Sequence, residues 1–205
     1  MPDNTDQRSA AATAPPRFEN PRAIRALAHP ARLAIIDALA TGEELTATQC
    51  AELTGLSPSA TAYHLKLLER YGFAETAPPR PDRRERPWRA TGQQTQIDLD
   101  SSTPAGASAA AAVVAAYIDT TRDVAVEFLE GAPGEPEQWR DAELANADLW
   151  LTAEEFHRVA GDLAAVLDPY RSRTRTGGRP AGSRRVRIMN VVVPRRTRPQ
   201  PGSRA

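Results

Sequence analysis

A chain of 205 residues, 40% of them hydrophobic, with 26 basic and 26 acidic side chains, has the length for one domain or two small ones. A lone cysteine, Cys50, excludes an internal disulfide framework and fits a reducing compartment. No apolar run approaches the roughly 18 residues of a membrane span, and the opening MPDNTDQRSAAATAPPRF holds acids and no apolar h-region, so it does not read as a signal peptide; the chain is expected to be soluble and cytoplasmic, with no membrane partner.

Neutrality conceals a segregation of charge. Residues 20–91 hold ten basic and eight acidic side chains, residues 92–170 three arginines against fifteen acids, and residues 171–205 eleven arginines and no acid. Such a chain can present faces of opposite sign to different partners. Lysine occurs once, Lys66, against 25 arginines. That bias suggests GC-rich coding and lowers the weight that arginine abundance carries for nucleic acid.

Residues 1–19 are Ala, Pro, Thr and polar, with Phe18 the one large apolar side chain after Met1, and are expected to be disordered. From Asn20 the pattern turns helical, with Asn20 as N-cap, Pro21 at the first position and Ile24, Leu27 and Ala28 on one face. A second helix restarts at Pro30, with Leu33, Ile36, Leu39 and Ala40 at helical spacing and His29 as its start residue. Thr46 and Gln49 have capping-box spacing for a third helix over 47–54, which Gly55 ends. Ser57 and Pro58 open a fourth, which Gly72 stops after Tyr71. Strands are expected near 73–77 and 87–91, separated by the polar, Pro-rich run PPRPDRRER.

Residues 93–107 read as a linker. A long helix is then expected over 108–130, with Val114, Tyr117, Ile118, Thr121, Val124 and Phe128 forming one stripe. Thr152 and Glu155 make another capping box, before a stripe of Phe156, Val159, Ala160, Leu163, Val166 and Leu167. VRIMNVVV, residues 186–193, reads as a strand closed by Pro194, and residues 194–205 as a disordered basic tail. The fold class expected is mainly α with a small β wing: a winged helix-turn-helix domain over 20–92 plus a C-terminal helical module, 108–193, ending in a strand.

On a helical wheel of the fourth helix, Thr61, Leu65 and Leu68 centre the buried face, with Ala60, His64 and Leu67 at its edges. Ser59, Tyr63, Lys66 and Arg70 lie opposite. This is the layout of a recognition helix, anchored by its apolar side and facing a major groove with hydrogen-bonding side chains. Ser57, Ser59 and Ala60 sit at its N-terminus, where free amides also favour a phosphate. The bland account is a solvated face of an ordinary helical domain. Arg80, Arg83, Arg84 and Arg86 follow at once in a loop placed to neutralise phosphates or enter the minor groove, and tip the balance toward DNA.

The run LAHPARLAIIDALATGEELTATQCAELTGLSPSATAYHLKLLERYGFAE resembles the winged-helix domain of the ArsR family of bacterial transcription regulators. The likeness runs without a gap over residues 23–76 and more loosely to Thr91. It implies a homodimeric DNA-binding repressor or regulator whose helix from Ser57 to Arg70 reads a double-stranded operator. Two departures qualify it. The metal-sensing members open the third helix with a Cys-x-Cys pair, where this chain has Thr46 and Thr48, and hydroxyls are poor ligands for soft or borderline metals. Cys50 falls on an apolar position and reads as a buried structural cysteine. The chain also adds more than a hundred residues beyond the compact sensors, a helical extension ending in a strand.

Glu154 and His157 have the E-x-x-H spacing of carboxylate-bridged metal helices, but only His29 and His64 are available to complete a site, so no metal and no cofactor are expected. No nucleophile elbow, phosphate loop or dinucleotide fingerprint occurs, and the chain does not read as an enzyme. Trp139, Trp150, Phe156 and Tyr170 fall in the acidic segment; they form either a small core or a pocket for a small, cationic effector. The stripe from Val114 to Phe128, bordered by Asp119, Arg122, Asp123 and Glu127, is expected to make the homodimer, or else to pack on the helix from Thr152 within one chain. The arginine tail reads as codon-biased disorder, an auxiliary phosphate contact or a dock for the acidic segment. A rival to DNA binding is a winged-helix module for protein–protein contact without direct readout.

Overall fold

The computed structural model of the protein describes residues 20–78, 86–91, 101–175 and 178–195. Within them the order is α1 (Pro21–Leu27), α2 (Pro30–Leu39), α3 (Ala47–Thr54), α4 (Pro58–Arg70), β1 (Ala74–Thr76), β2 (Trp88–Ala90), α5 (Pro104–Gly131) and α6 (Ala153–Arg175). Two short 3-10 turns, Ala132–Gly134 and Glu137–Trp139, lie between the last two. The fold is mostly helical with a small antiparallel sheet after the helix-turn-helix, a winged helix. No helix among the described residues is long and apolar enough to cross a membrane.

Local chemistry sets the first four helices. Each begins on a side chain that accepts one of the amide hydrogens a helix leaves unpaired. Asn20 accepts from Arg22, His29 from Ala31, Thr46 from Gln49 and Ser57 from Ala60. Pro21, Pro30 and Pro58 occupy first-turn positions, where the missing N–H has no intrahelical partner to lose. At Thr46 the capping is reciprocal, because the Gln49 side chain accepts the Thr46 amide at 2.9 Å. Gly55, at φ 66°, then turns the chain from α3 into α4 through a left-handed conformation that a Cβ would oppose.

The wing follows directly. β1 and β2 pair antiparallel with Ala74 opposite Ala90, Glu75 opposite Arg89 and Thr76 opposite Trp88. Leu45 adds a third element, exchanging backbone hydrogen bonds of 3.0 and 2.7 Å with Trp88. Ile24 and Leu27 of α1, Leu33, Ile35, Ile36 and Leu39 of α2, Cys50 of α3 and Leu65 and Leu68 of α4 bury together. Phe73, Ala74 and Trp88 close this core from the wing side.

Contacts divide the chain into two units. One comprises the residues up to Thr120 with Arg173–Gly178, the other Thr121–Ser172 with Arg179–Ala205. The long helix differs from the expectation at its start. It begins at Pro104, four residues before the expected 108, because the Thr103 hydroxyl accepts the Gly106 amide at 3.0 Å and acts as a cap. Its first turns, through Gly106, Ala109, Ala110 and Val113, are buried, and Ala109 and Val113 belong to the core of the winged unit. A run of alanines carries little periodic signal, which is why the reading of residues 93–107 as a linker ran too far.

The strand expected over 186–193 does not form. These residues are neither helix nor strand, since a strand needs a neighbour to pair with and none of the described segments lies alongside to supply one. Beyond Val113 no described residue is buried. The second unit therefore has helices without an enclosed core.

Leu65 has no exposed surface, so Leu65→Ala should lower stability by ~2–5 kcal/mol through lost transfer energy and a residual cavity. Thr61 is equally buried, but its hydroxyl has no hydrogen-bond partner. Thr61→Val removes that hydroxyl at constant shape and should be neutral or stabilising. Denaturant midpoints of the two variants check both expectations, and a large loss in Thr61→Val would show the hydroxyl to be satisfied in solution.

Candidate nucleic-acid interface

The exposed side of α4 is fixed by what the other side buries. Thr61, His64, Leu65 and Leu68 are buried, packed toward α2, α3 and β1, while Leu67 is half-buried. The helix periodicity then leaves Ser59, Tyr63, Lys66 and Arg70 exposed on the opposite side, with Ala60 half-buried between. The sequence reading assigned each of these residues to the side on which it lies.

The N-terminal end of α4 is polar and open. Ser57 accepts the Ala60 amide at 3.3 Å, and the Ser57 and Ser59 hydroxyls lie 3.2 Å apart. Both residues are exposed at the positive end of a 13-residue helix, where an anion is favoured. Further along, Tyr63 is 64% exposed and meets His64 edge-on. Lys66 bonds Glu69 at 2.8 Å and sits 5.4 Å from the centre of the Trp88 ring, which directs its ammonium toward the wing. Arg70 lies over the ring of Tyr71 at 5.9 Å. Exposed pairs such as Lys66–Glu69 contribute ~0–1 kcal/mol, so they do not prevent a side chain from turning to another anion.

In the wing, Arg86 is exposed at the end of the loop, whereas Arg80, Arg83 and Arg84 lie outside the described residues. Arg89 was not singled out in the sequence, yet it stands exposed on β2 and bonds Glu75 of β1 at 2.8 Å. Its cross-strand pairing with Glu75 could have been read from the hairpin register alone. Thr46 is spent on capping α3, and Thr48 is exposed.

Behind the open face lies a polar brace that the periodicity of α2 did not disclose. Arg32 is buried, and its guanidinium donates to the Ala26 carbonyl and to His64 Nδ1, the latter at 3.2 Å. Arginine can only donate, so His64 Nδ1 must accept and the ring is neutral. His29 Nδ1 likewise accepts, from the Ala31 amide at 3.2 Å, and the two imidazole rings meet at a tilt of 44° with centroids 4.5 Å apart. The spacing of His29 and Arg32 in LAHPARL puts both on one side of the α2 start. That was the available signal.

The remaining candidate residues are dispersed. On α5, Tyr117 packs partly against the core of the winged unit, Val114, Thr121 and Phe128 are half-buried, and Ile118 and Val124 are exposed at 49% and 39%. Of the four aromatics, Trp139 is covered by Arg184 and Phe156 meets His157 edge-on. Trp150 is 99% exposed and Tyr170 59%. A side chain as bare as Trp150 lines no pocket within one chain. Glu154 bonds Arg158 at 2.8 Å.

Residues 27–77, about a quarter of the chain, match a family described as a helix-turn-helix domain. No curated protein matches the chain. The matched span runs from the end of α1 to the end of the first wing strand, and it points to DNA binding and the regulation of transcription.

The brace gives the fold a pH dependence. Burial holds His29 and His64 below the usual histidine range, and Arg32 beside them acts in the same direction. Each histidine therefore takes up a proton less readily folded than unfolded, so the unfolded chain binds more protons below the unperturbed 6.5. Stability should be full above that value and fall as the pH drops through it toward the folded values. Denaturation at about pH 7.5 and about pH 5 should show the loss, and the variant His29→Asn with His64→Asn, which keeps an acceptor at each site, should lose less.

Proposed function

We propose that the protein is a sequence-specific, double-stranded-DNA-binding transcription regulator of the ArsR type that acts as a homodimeric repressor. The observation that carries this reading is the one-sided burial of α4. Its apolar side is locked into the core, and Ser59, Tyr63, Lys66 and Arg70 stand open on the other side, beside a wing that follows without a linker.

In this reading α4 enters the major groove. Tyr63, Lys66 and Arg70 contact base edges and flanking phosphates, and Ser57, Ser59 and Ala60 at the helix start hold a phosphate. Arg86 of the wing, with Arg80, Arg83 and Arg84 of its loop, neutralises the backbone alongside. Such contacts to phosphate set position and register, and those to bases set the sequence read. Two half-sites one turn of duplex apart require two recognition helices held about 34 Å apart, hence a two-fold dimer. The α5 stripe of Val114, Tyr117, Ile118, Thr121, Val124 and Phe128 is the proposed element of that dimer. The exposure of Ile118 and Val124 within one chain supports it.

Replacing Tyr63 or Lys66 with alanine should leave folding nearly unchanged, since both are exposed. Each should weaken binding to an operator selected from genomic fragments by ~1–3 kcal/mol. Wild-type affinity should fall log-linearly with salt. Variants that bind as tightly as wild type, or binding to a protein partner that needs no duplex, would move the reading to a protein–protein module.

Aspartate at both Ile118 and Val124 should yield a folded or partly folded monomer whose operator affinity is that of a single half-site. Sedimentation and a binding titration check this together. A double variant that remains an intact dimer places the interface elsewhere.

A further inference from the structure

The second unit keeps its two signs of charge apart in sequence and brings them together in space. Residues 121–172 carry four arginines and twelve acids, and residues 179–205 eight arginines and no acid, so the unit is neutral as a whole. A coding bias toward arginine acts on the whole chain and does not sort the two signs into separate stretches. Arg184 and Arg185 precede the apolar run 186–193, and Arg195 and Arg196 follow it. Arg184 pairs with Glu135 and lies over the Trp139 ring at 5.4 Å, and Arg195 pairs with Asp148 at 2.7 Å. Arg185 is exposed and makes no ion pair among the described residues.

These pairs are built to be exchanged. Each guanidinium reaches its carboxylate through Nη1 alone, without the two-pronged fork that arginine makes with a well-set phosphate or carboxylate. Both arginine side chains stay in water, 43% exposed for Arg184 and 80% for Arg195. Ion pairs so placed add little to stability and weaken with salt. A duplex presents one phosphate charge per ~1.7 Å of its axis and sheds condensed counterions when these are neutralised, a gain that a lone carboxylate does not match.

We propose that the arginine segment bracketing residues 186–193 is a second, sequence-independent contact to the phosphates of duplex DNA. Glu135 and Asp148 act as internal substitutes for phosphate and hold the segment while no duplex is bound. The inference rests on the DNA-binding reading of the winged unit, which brings a duplex to a segment tethered on the same chain and so raises its effective concentration there. The helix-turn-helix match favours nucleic acid over a lipid surface as the source of phosphate. Contacts to phosphate carry no sequence information, so the segment adds affinity for every duplex and leaves the choice of operator to α4.

Titration of the full-length chain with a selected operator and with an unrelated duplex, over a range of salt, tests it. Arg184→Gln combined with Arg185→Gln and Arg195→Gln should weaken binding to both duplexes by about tenfold or more. It should also lower the slope of log affinity against log salt by about 2, with the preference for the operator unchanged. Arg122→Gln combined with Arg140→Gln and Arg158→Gln makes the same change of net charge inside the acidic stretch and should keep the wild-type slope. Glu135→Gln with Asp148→Asn should tighten binding to both duplexes by about threefold or more, since the competitor is gone. All these positions but half-buried Glu135 are exposed, so circular dichroism should match wild type in every variant. A first triple variant with wild-type affinity and slope overturns the inference and leaves the operator reading standing. Equal losses in the two triple variants also overturn it, by reducing the effect to net charge. An acid variant that binds no tighter than wild type overturns the holding role of Glu135 and Asp148. Wild-type binding to phosphatidylglycerol vesicles that the first triple variant lacks, with duplex binding unchanged, overturns it in favour of a lipid surface. A wild-type chain that binds both duplexes equally, with the slope difference intact, overturns the operator reading and supports the segment's contact.

Discussion

Leu65 and Leu68 lose all contact with solvent on one side of α4, and that burial decides where every other side chain of the helix points. A helix presents neighbouring residues at fixed angles, so two anchored leucines with Thr61 leave no freedom to rotate Tyr63 or Lys66 inward. The exposed face is the by-product of the core. This is why its residues need no packing role of their own, and why they can be long, polar and exposed. The wing depends on the same burial, since Phe73 leaves α4 straight into the core and Trp88 returns to it from β2, bridged to Leu45.

Hydrophobic packing alone would let α4 slide or tilt slightly, because apolar contact is not directional. The hydrogen bond of Arg32 to His64 is directional. It joins α2 to α4, while the second bond of the same guanidinium, to Ala26, ties in the carboxyl end of α1. Burying a guanidinium without a carboxylate partner is costly. The arrangement persists because each acceptor is a neutral group with a free lone pair, and the histidines are held neutral by the burial that creates the brace. Acid titrates this joint and leaves the apolar core untouched. On the proposed DNA reading, the open face answers to salt and the joint behind it to protons.

What was legible in the sequence was local in origin. Asn20, Thr46, Ser57, Gly55 and the three first-turn prolines act on their own neighbours, so the helices they bound came out close to their observed limits. The side assignment of α4 was legible for the same reason, since its period of apolar residues is a property of one helix. The start of α5 was not, because Gly106, Ala109 and Ala110 are small and announce no face until the core of the winged unit meets them. Arg32 was missed because an arginine on a helix usually reads as solvated, and only its tertiary position makes it a brace. Residues 186–193 have strand composition but form no strand, and that composition states a capacity to pair without stating with whom.

The two units differ in how they can be stable. The first has a continuous core from Ala23 to Val113 and the caps to frame it. The second carries Val124, Leu129, Leu163, Val166 and Ile188 at the surface and has no buried residue among those described. Ordering each residue of such a unit costs about 1–2 kcal/mol of backbone entropy, and exposed apolar side chains return little against it. Surface of this kind becomes stabilising only when a second surface covers it. If that surface is another copy, then forming the dimer and ordering the second unit are one equilibrium, and its position depends on protein concentration. Operator occupancy would inherit that dependence, because two linked recognition helices bind two half-sites far more tightly than either alone. A winged unit that folds by itself, joined to a unit completed by assembly, would thus convert the amount of protein present into a steep response at the DNA.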